Sequence, residues 1–142
     1  MRFWDALAIV PLLLREPASA VVHDLYRSDP HLLVWWSTEL ECVSAVSRRE
    51  RDGTVDARVV GVALERLDRL RRRWDEMQPV PEIRDQARRL LRVHPLRAGD
   101  ALQLAAAQRG CEYQPATLPF VCLDRRLSDA AAREGLPVLG LS

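Results

Sequence analysis

A chain of 142 residues, 48% of them hydrophobic, can bury one core, and its length matches a single domain spanning residues 1–142. No apolar run of about 18 residues occurs, which excludes an ordinary membrane-spanning helix. The net charge of +1 excludes a protein that is strongly basic or acidic as a whole, yet all 21 basic residues are arginine, with no lysine and no asparagine.

The opening, MRFWDALAIVPLLLREP, has one Arg and an apolar stretch. Asp5 interrupts its start, however, and no A-x-A-like cleavage site follows, so it reads as the first strand (2–5) and helix (7–14) of a cytosolic fold. Pro17 closes that helix. A second helix at 18–27 carries Val21, Val22 and Leu25 on one face, and residues 32–36 form a compact buried strand. Thr38 opens a helix to about Arg51, which Gly53 stops. Residues 56–76 read as one long amphipathic helix, with Val60, Leu64, Leu67, Leu70 and Trp74 at three- and four-residue steps. Pro79 and Pro81 break it before a helix at 82–93. An alanine-rich helix at 99–108, a strand at 120–123, a helix at 126–133 and a strand at 138–141 complete the chain. Strands separated by helices predict an α/β fold: a parallel sheet with helices on both faces.

The three cysteines, Cys42, Cys111 and Cys122, contain no C-x-x-C and make neither a disulfide framework nor a zinc pattern. Cys42 and Cys122 sit in apolar surroundings, as small core residues do. His23, His31 and His94 are scattered, with no ligand spacing. The arginines cluster at 48–51, 69–73, 88–97 and 125–126. Most of these are expected on solvated helix faces, though planar guanidinium forks also suit phosphate.

In a parallel α/β sheet the ligand site lies beyond the carboxyl ends of the strands. Four acids stand at such places: Asp5 after the first strand, Glu41 in the first turn of the helix after the second, Asp100 opening the alanine-rich helix, and Asp124 after FVCL. Two readings are open for them. Carboxylates gathered in one place need a cation to remain ionised together, and oxygen donors without His or Cys suit Mg²⁺ or Mn²⁺. Alternatively, each acid serves the start of a helix, with Thr38 and Glu41 forming a capping box.

At FWDALAIVPLLLREP, WWSTELECVSAVSRRERDG, LLRVHPLRAGDALQLAAA and PFVCLDRRLSDAAAREG the chain resembles the PIN-domain ribonucleases, and among them the VapC-type toxins of VapBC toxin–antitoxin pairs. That resemblance covers nearly the whole length. It implies a Rossmann-like PIN domain and Mg²⁺- or Mn²⁺-dependent endonucleolytic hydrolysis of RNA, leaving a 5′-phosphate and a 3′-hydroxyl. It further implies Asp5, Glu41 and Asp100 as core metal ligands, with Asp124 acting on a second ion or through water. A cognate antitoxin and a homodimer are the implied partners, and the cytoplasm the implied setting. Two positions depart from the family pattern: Leu7 stands where the family usually has Ser or Thr two residues after its first Asp, and Cys122 replaces a common Thr. The missing hydroxyl at Leu7 supports an alternative, a PIN-like module that binds RNA or protein without cutting. Arg48, seven residues after Glu41 on the same helix face with Ser44 between them, is the preferred phosphate contact.

Overall fold

The computed structural model describes residues 1–141. Strand β1 (Arg2–Trp4) leads into α1 (Ala6–Leu13) and α2 (Ser19–Ser28). These are followed by β2 (Leu32–Trp35), α3 (Thr38–Arg51), α4 (Ala57–Arg71) and β3 (Asp75–Met77). The second half runs α5 (Pro81–Val93), α6 (Ala98–Gly110), a 3₁₀ turn at Pro115–Thr117, β4 (Phe120–Val121), α7 (Arg125–Arg133) and β5 (Val138–Leu139). The five strands are all parallel, in the order β3-β2-β1-β4-β5. From β1 the chain builds outward through β2 to β3, then crosses to the other side of β1 for β4 and β5. The strand order therefore reverses between β1 and β4. This is the Rossmann-like PIN architecture, an α/β sheet with helices on both faces.

The two faces follow from strand alternation. Phe3 points to one face, where it joins Leu33, Phe120, Leu104, Ile83 and Leu127 under α5, α6 and α7. Its ring stacks on that of Phe120 across the β1–β4 pair, with centroids 5.4 Å apart. Trp4 points to the other face and packs with Val34, Ile9, Val46 and Leu67 under α1, α3 and α4. Cys42 and Cys122 are fully buried, as the sequence suggests, and Cys111 is buried with them.

The structure corrects the reading of residues 56–76. The helix ends at Arg71, and residues 75–77 form an edge strand on β2. Trp74 keeps the apolar rhythm but is buried after the helix has ended, with its indole Nε1 donating to Glu76 Oε2 at 3.0 Å. Asp-Glu-Met has no strand-forming composition, and charged residues at a sheet edge discourage pairing with other chains. Two further side chains differ from expectation: Val21 and Trp36 are about half exposed. The stop after α3 is as expected, with Gly53 at φ +76°, a conformation in which a Cβ is strained.

Candidate active site

The switch in strand order opens a crevice beyond the carboxyl ends of β1 and β4, the usual ligand position in such sheets. Asp5 directly follows β1, and Asp124 stands three residues beyond β4. Glu41 comes from the first turn of α3 and Asp100 from the first turn of α6. Asp5, Glu41 and Asp100 line one cleft of about 490 Å³, and Arg48 and Arg97 line it too.

Capping accounts for one of the four acids. Asp124 is the N-cap of α7, its Oδ1 accepting from Leu127 N at 2.9 Å. Asp5 precedes α1 yet makes no capping bond, and α6 begins at Ala98, which places Asp100 inside the helix. The expected capping box at Thr38 and Glu41 is absent. Thr38 is fully buried, and its Oγ1 accepts from Gln103 Nε2 at 3.3 Å. The same amide donates to Glu41 Oε2 at 2.6 Å. Gln103 is thus a contact that the sequence reading missed. Its signal was positional, since a residue three after Asp100 shares that helix face. A Cβ at Gly99 would lie 3.8 Å from Glu41 Oε1, an ordinary van der Waals contact.

The electrostatics set these acids apart from the rest of the surface. Asp5 is only 4% exposed, and its carboxyl is pushed from 3.8 up to about 8. Burial is the main cause, followed by the charges of Glu41, Asp100 and Asp124; the backbone N–H of Ala6 pulls the other way. Burial also raises Glu41, with Asp100 adding to it and the Gln103 amide opposing it. Asp100 is raised by burial and by Asp124, against the pull of Arg97. Among the described residues no ion pair involves any of the four acids. Carboxyl groups are therefore gathered at the switch point with no ion pair to offset them among the described residues.

Mg²⁺ and Mn²⁺ fit this donor set by its chemistry: hard carboxylate oxygens, one of them too buried to ionise at neutral pH without a neighbouring positive charge. Gln103 Oε1 adds a buried acceptor with no partner beside Glu41. Among the described residues no group of three or more His, Cys, Asp or Glu side chains is placed, as the side chains stand, to hold a metal ion. Thiolate chemistry has no place here, because burial pushes Cys122 up to about 12 and raises Cys42 further.

Leu7 is 51% exposed and lines the cleft, as does Leu40, which is 65% exposed. The position that carries no hydroxyl thus lies at the site and outside the core. Arg48 is exposed at the cleft and forms no ion pair among the described residues.

The fold is similar to solved structures along nearly its whole length. FitAcB from Neisseria gonorrhoeae aligns with 98% of this chain and 96% of its own, with a TM-score of 0.67 and 20% identity. PAE2754 from Pyrobaculum aerophilum aligns with 96% of this chain and 82% of its own, with a TM-score of 0.63 and 21% identity. At these identities the likeness is one of fold. No family model matches the sequence, and no curated protein aligns with it.

Proposed function

We propose that this protein is a Mg²⁺- or Mn²⁺-dependent endoribonuclease, the toxin component of a type II toxin–antitoxin pair. The observation that carries the reading is the convergence of Asp5, Glu41 and Asp100 on one cleft at the switch point of the sheet, with the Asp5 carboxyl buried there. In the proposal Asp5, Glu41 and Asp100 hold the ion, and Asp124 acts on a second ion or through water. When bound, the ion supplies the positive charge that these acids lack and the Lewis acidity that phosphodiester hydrolysis uses.

The remaining roles belong to the chain itself. Gln103 fixes Glu41 by its 2.6 Å bond, so that the carboxylate does not have to be ordered when substrate arrives. Arg48 and Arg97 offer guanidinium forks to the phosphates at the cleft mouth. The exposed side chains of Leu7 and Leu40 offer apolar contact to a base. An antitoxin that masks the cleft and a homodimeric assembly belong to the same reading, on the strength of the family resemblance.

Product chemistry tests the proposal. RNA cut by the purified protein with Mn²⁺ should carry 5′-phosphate and 3′-hydroxyl ends. Ends bearing 2′,3′-cyclic phosphate, or cleavage that persists in excess chelator, would contradict it. One observation favours a second reading, a PIN-like module that binds RNA or protein without cutting: Leu7 brings no hydroxyl to the cleft. RNA binding with no cleavage in either metal would support that reading.

A further inference from the structure

A second cleft, of about 660 Å³, opens on the sheet face covered by α1, α2 and α4. Arg66, Arg69, Arg72 and Arg73 reach it from the end of α4, and His23 and Tyr26 from α2. None of these four arginines pairs with an acid among the described residues, whereas their neighbour Arg71 pairs with Glu39 at 3.3 Å. Arg66 Nη1 donates to Leu13 O at 3.0 Å, which fixes that side chain against the last turn of α1.

A cation at a helix C-terminus is favoured by the helix dipole, and this accounts for one or two of the arginines. It does not account for four of them converging on a cleft without a carboxylate, in a chain whose net charge is only +1. His23 and Tyr26, three residues apart, share one face of α2, and both rings are half-buried. Guanidinium forks with aromatic faces are the combination that holds single-stranded nucleic acid, phosphates on the arginines and a base on the ring. An acidic peptide would use the charges and leave the rings without a role.

The cleft lies at the edge of the sheet opposite the carboxylates. Helix α1 starts beside Asp5 at one edge and contributes Leu12 to the arginine cleft at the other, and α4 ends there before β3 begins. Helix α1, eight residues and about 12 Å long, runs between the two clefts.

We infer that this cleft is a second RNA-binding site, which grips the strand at a distance from the carboxylates. The inference rests on the ribonuclease reading for its choice of RNA. The test is binding of a fluorescein-labelled single-stranded RNA 20-mer in chelator at several salt concentrations. It compares wild type with Arg69→Gln/Arg73→Gln and with Tyr26→Ala. Each lost phosphate contact should make the salt slope shallower by about 0.7, so the double variant should lose about 1.4. Tyr26→Ala should weaken binding roughly five- to 150-fold and leave the slope unchanged. Slopes and affinities equal to wild type would overturn the inference. Binding of a poly-glutamate peptide as tight as that of RNA, and indifferent to Tyr26→Ala, would overturn it too. The ribonuclease reading is judged separately, by Mn²⁺-dependent cleavage of a short oligonucleotide. Its failure in every form, wild type included, would leave the salt slopes to decide the cleft.

Discussion

Replacing Asp5 by Asn should stabilise the metal-free protein, by an amount that grows with pH. The Asp5 carboxyl is displaced from 3.8 to about 8, chiefly by burial and then by Glu41, Asp100 and Asp124. Between those values the folded protein keeps a proton that the unfolded chain has released. Stability therefore falls as pH rises through that window, by about 1.4 kcal/mol per unit at most. At pH 7, about three units above the ordinary value, the loss reaches roughly 4 kcal/mol. Asn keeps the shape and removes the titration. In chelator at neutral pH, Asp5→Asn should thus melt higher than wild type, by roughly 10 °C for a chain of this size. At pH 4 the two should melt nearly together. Mg²⁺ or Mn²⁺ should raise wild type far more than the variant, because binding to the folded state alone stabilises it. The assay is thermal melting followed by circular dichroism from pH 4 to 8, with and without metal. A gap that does not change with pH, or an Asn variant less stable than wild type at pH 8, would refute the reasoning.

Three other substitutions probe the same cleft. Leu7 is exposed, so Leu7→Ser should change stability by no more than about 0.5 kcal/mol, against ~2–4 kcal/mol for a buried leucine. If the missing hydroxyl is a handicap, the variant should bind Mn²⁺ or cut RNA about tenfold better; equal titrations and rates would make Leu7 only a wall of the cleft. Gln103→Leu removes the 2.6 Å bond to Glu41 and leaves the buried Thr38 hydroxyl without that donor. It should weaken Mn²⁺ binding by about 10- to 100-fold by calorimetry, and an unchanged affinity would show that Glu41 needs no positioning. Arg48→Ala should make the salt dependence of single-stranded RNA binding at this cleft shallower by about 0.7, and an unchanged slope would place Arg48 on an ordinary solvated face.

Much of this architecture could be read from the sequence because α/β folds declare themselves through alternation. Buried strands such as Leu32–Trp35 are short and continuously apolar, and Pro17 and Gly53 mark boundaries that the structure respects, whereas Pro79 follows strand β3 instead of ending the helix. Strand β3 was hidden for the converse reason. An edge strand needs little apolar character, and Trp74 extended the helical rhythm three residues past the point where the helix ends. The acids could be located because sheet topology dictates where strands end. Their surroundings could not be read the same way: that Glu41 is held by Gln103 and that Asp5 makes no capping bond depend on how α3, α6 and β1 pack. The arginine cluster at 69–73 was visible as composition, but its meeting with Tyr26 and His23 depends on how α4 packs beside α2.

The central claim is that the carboxylates at the switch point hold a divalent ion with which the protein cuts RNA. The most direct test is cleavage of a defined RNA by wild type and Asp100→Asn, each shown to be folded by circular dichroism, with Mg²⁺ or Mn²⁺ and again in excess chelator. The account predicts cleavage by wild type with metal only, and none above background by Asp100→Asn under either condition. A folded Asp100→Asn that cuts as fast as wild type would contradict it.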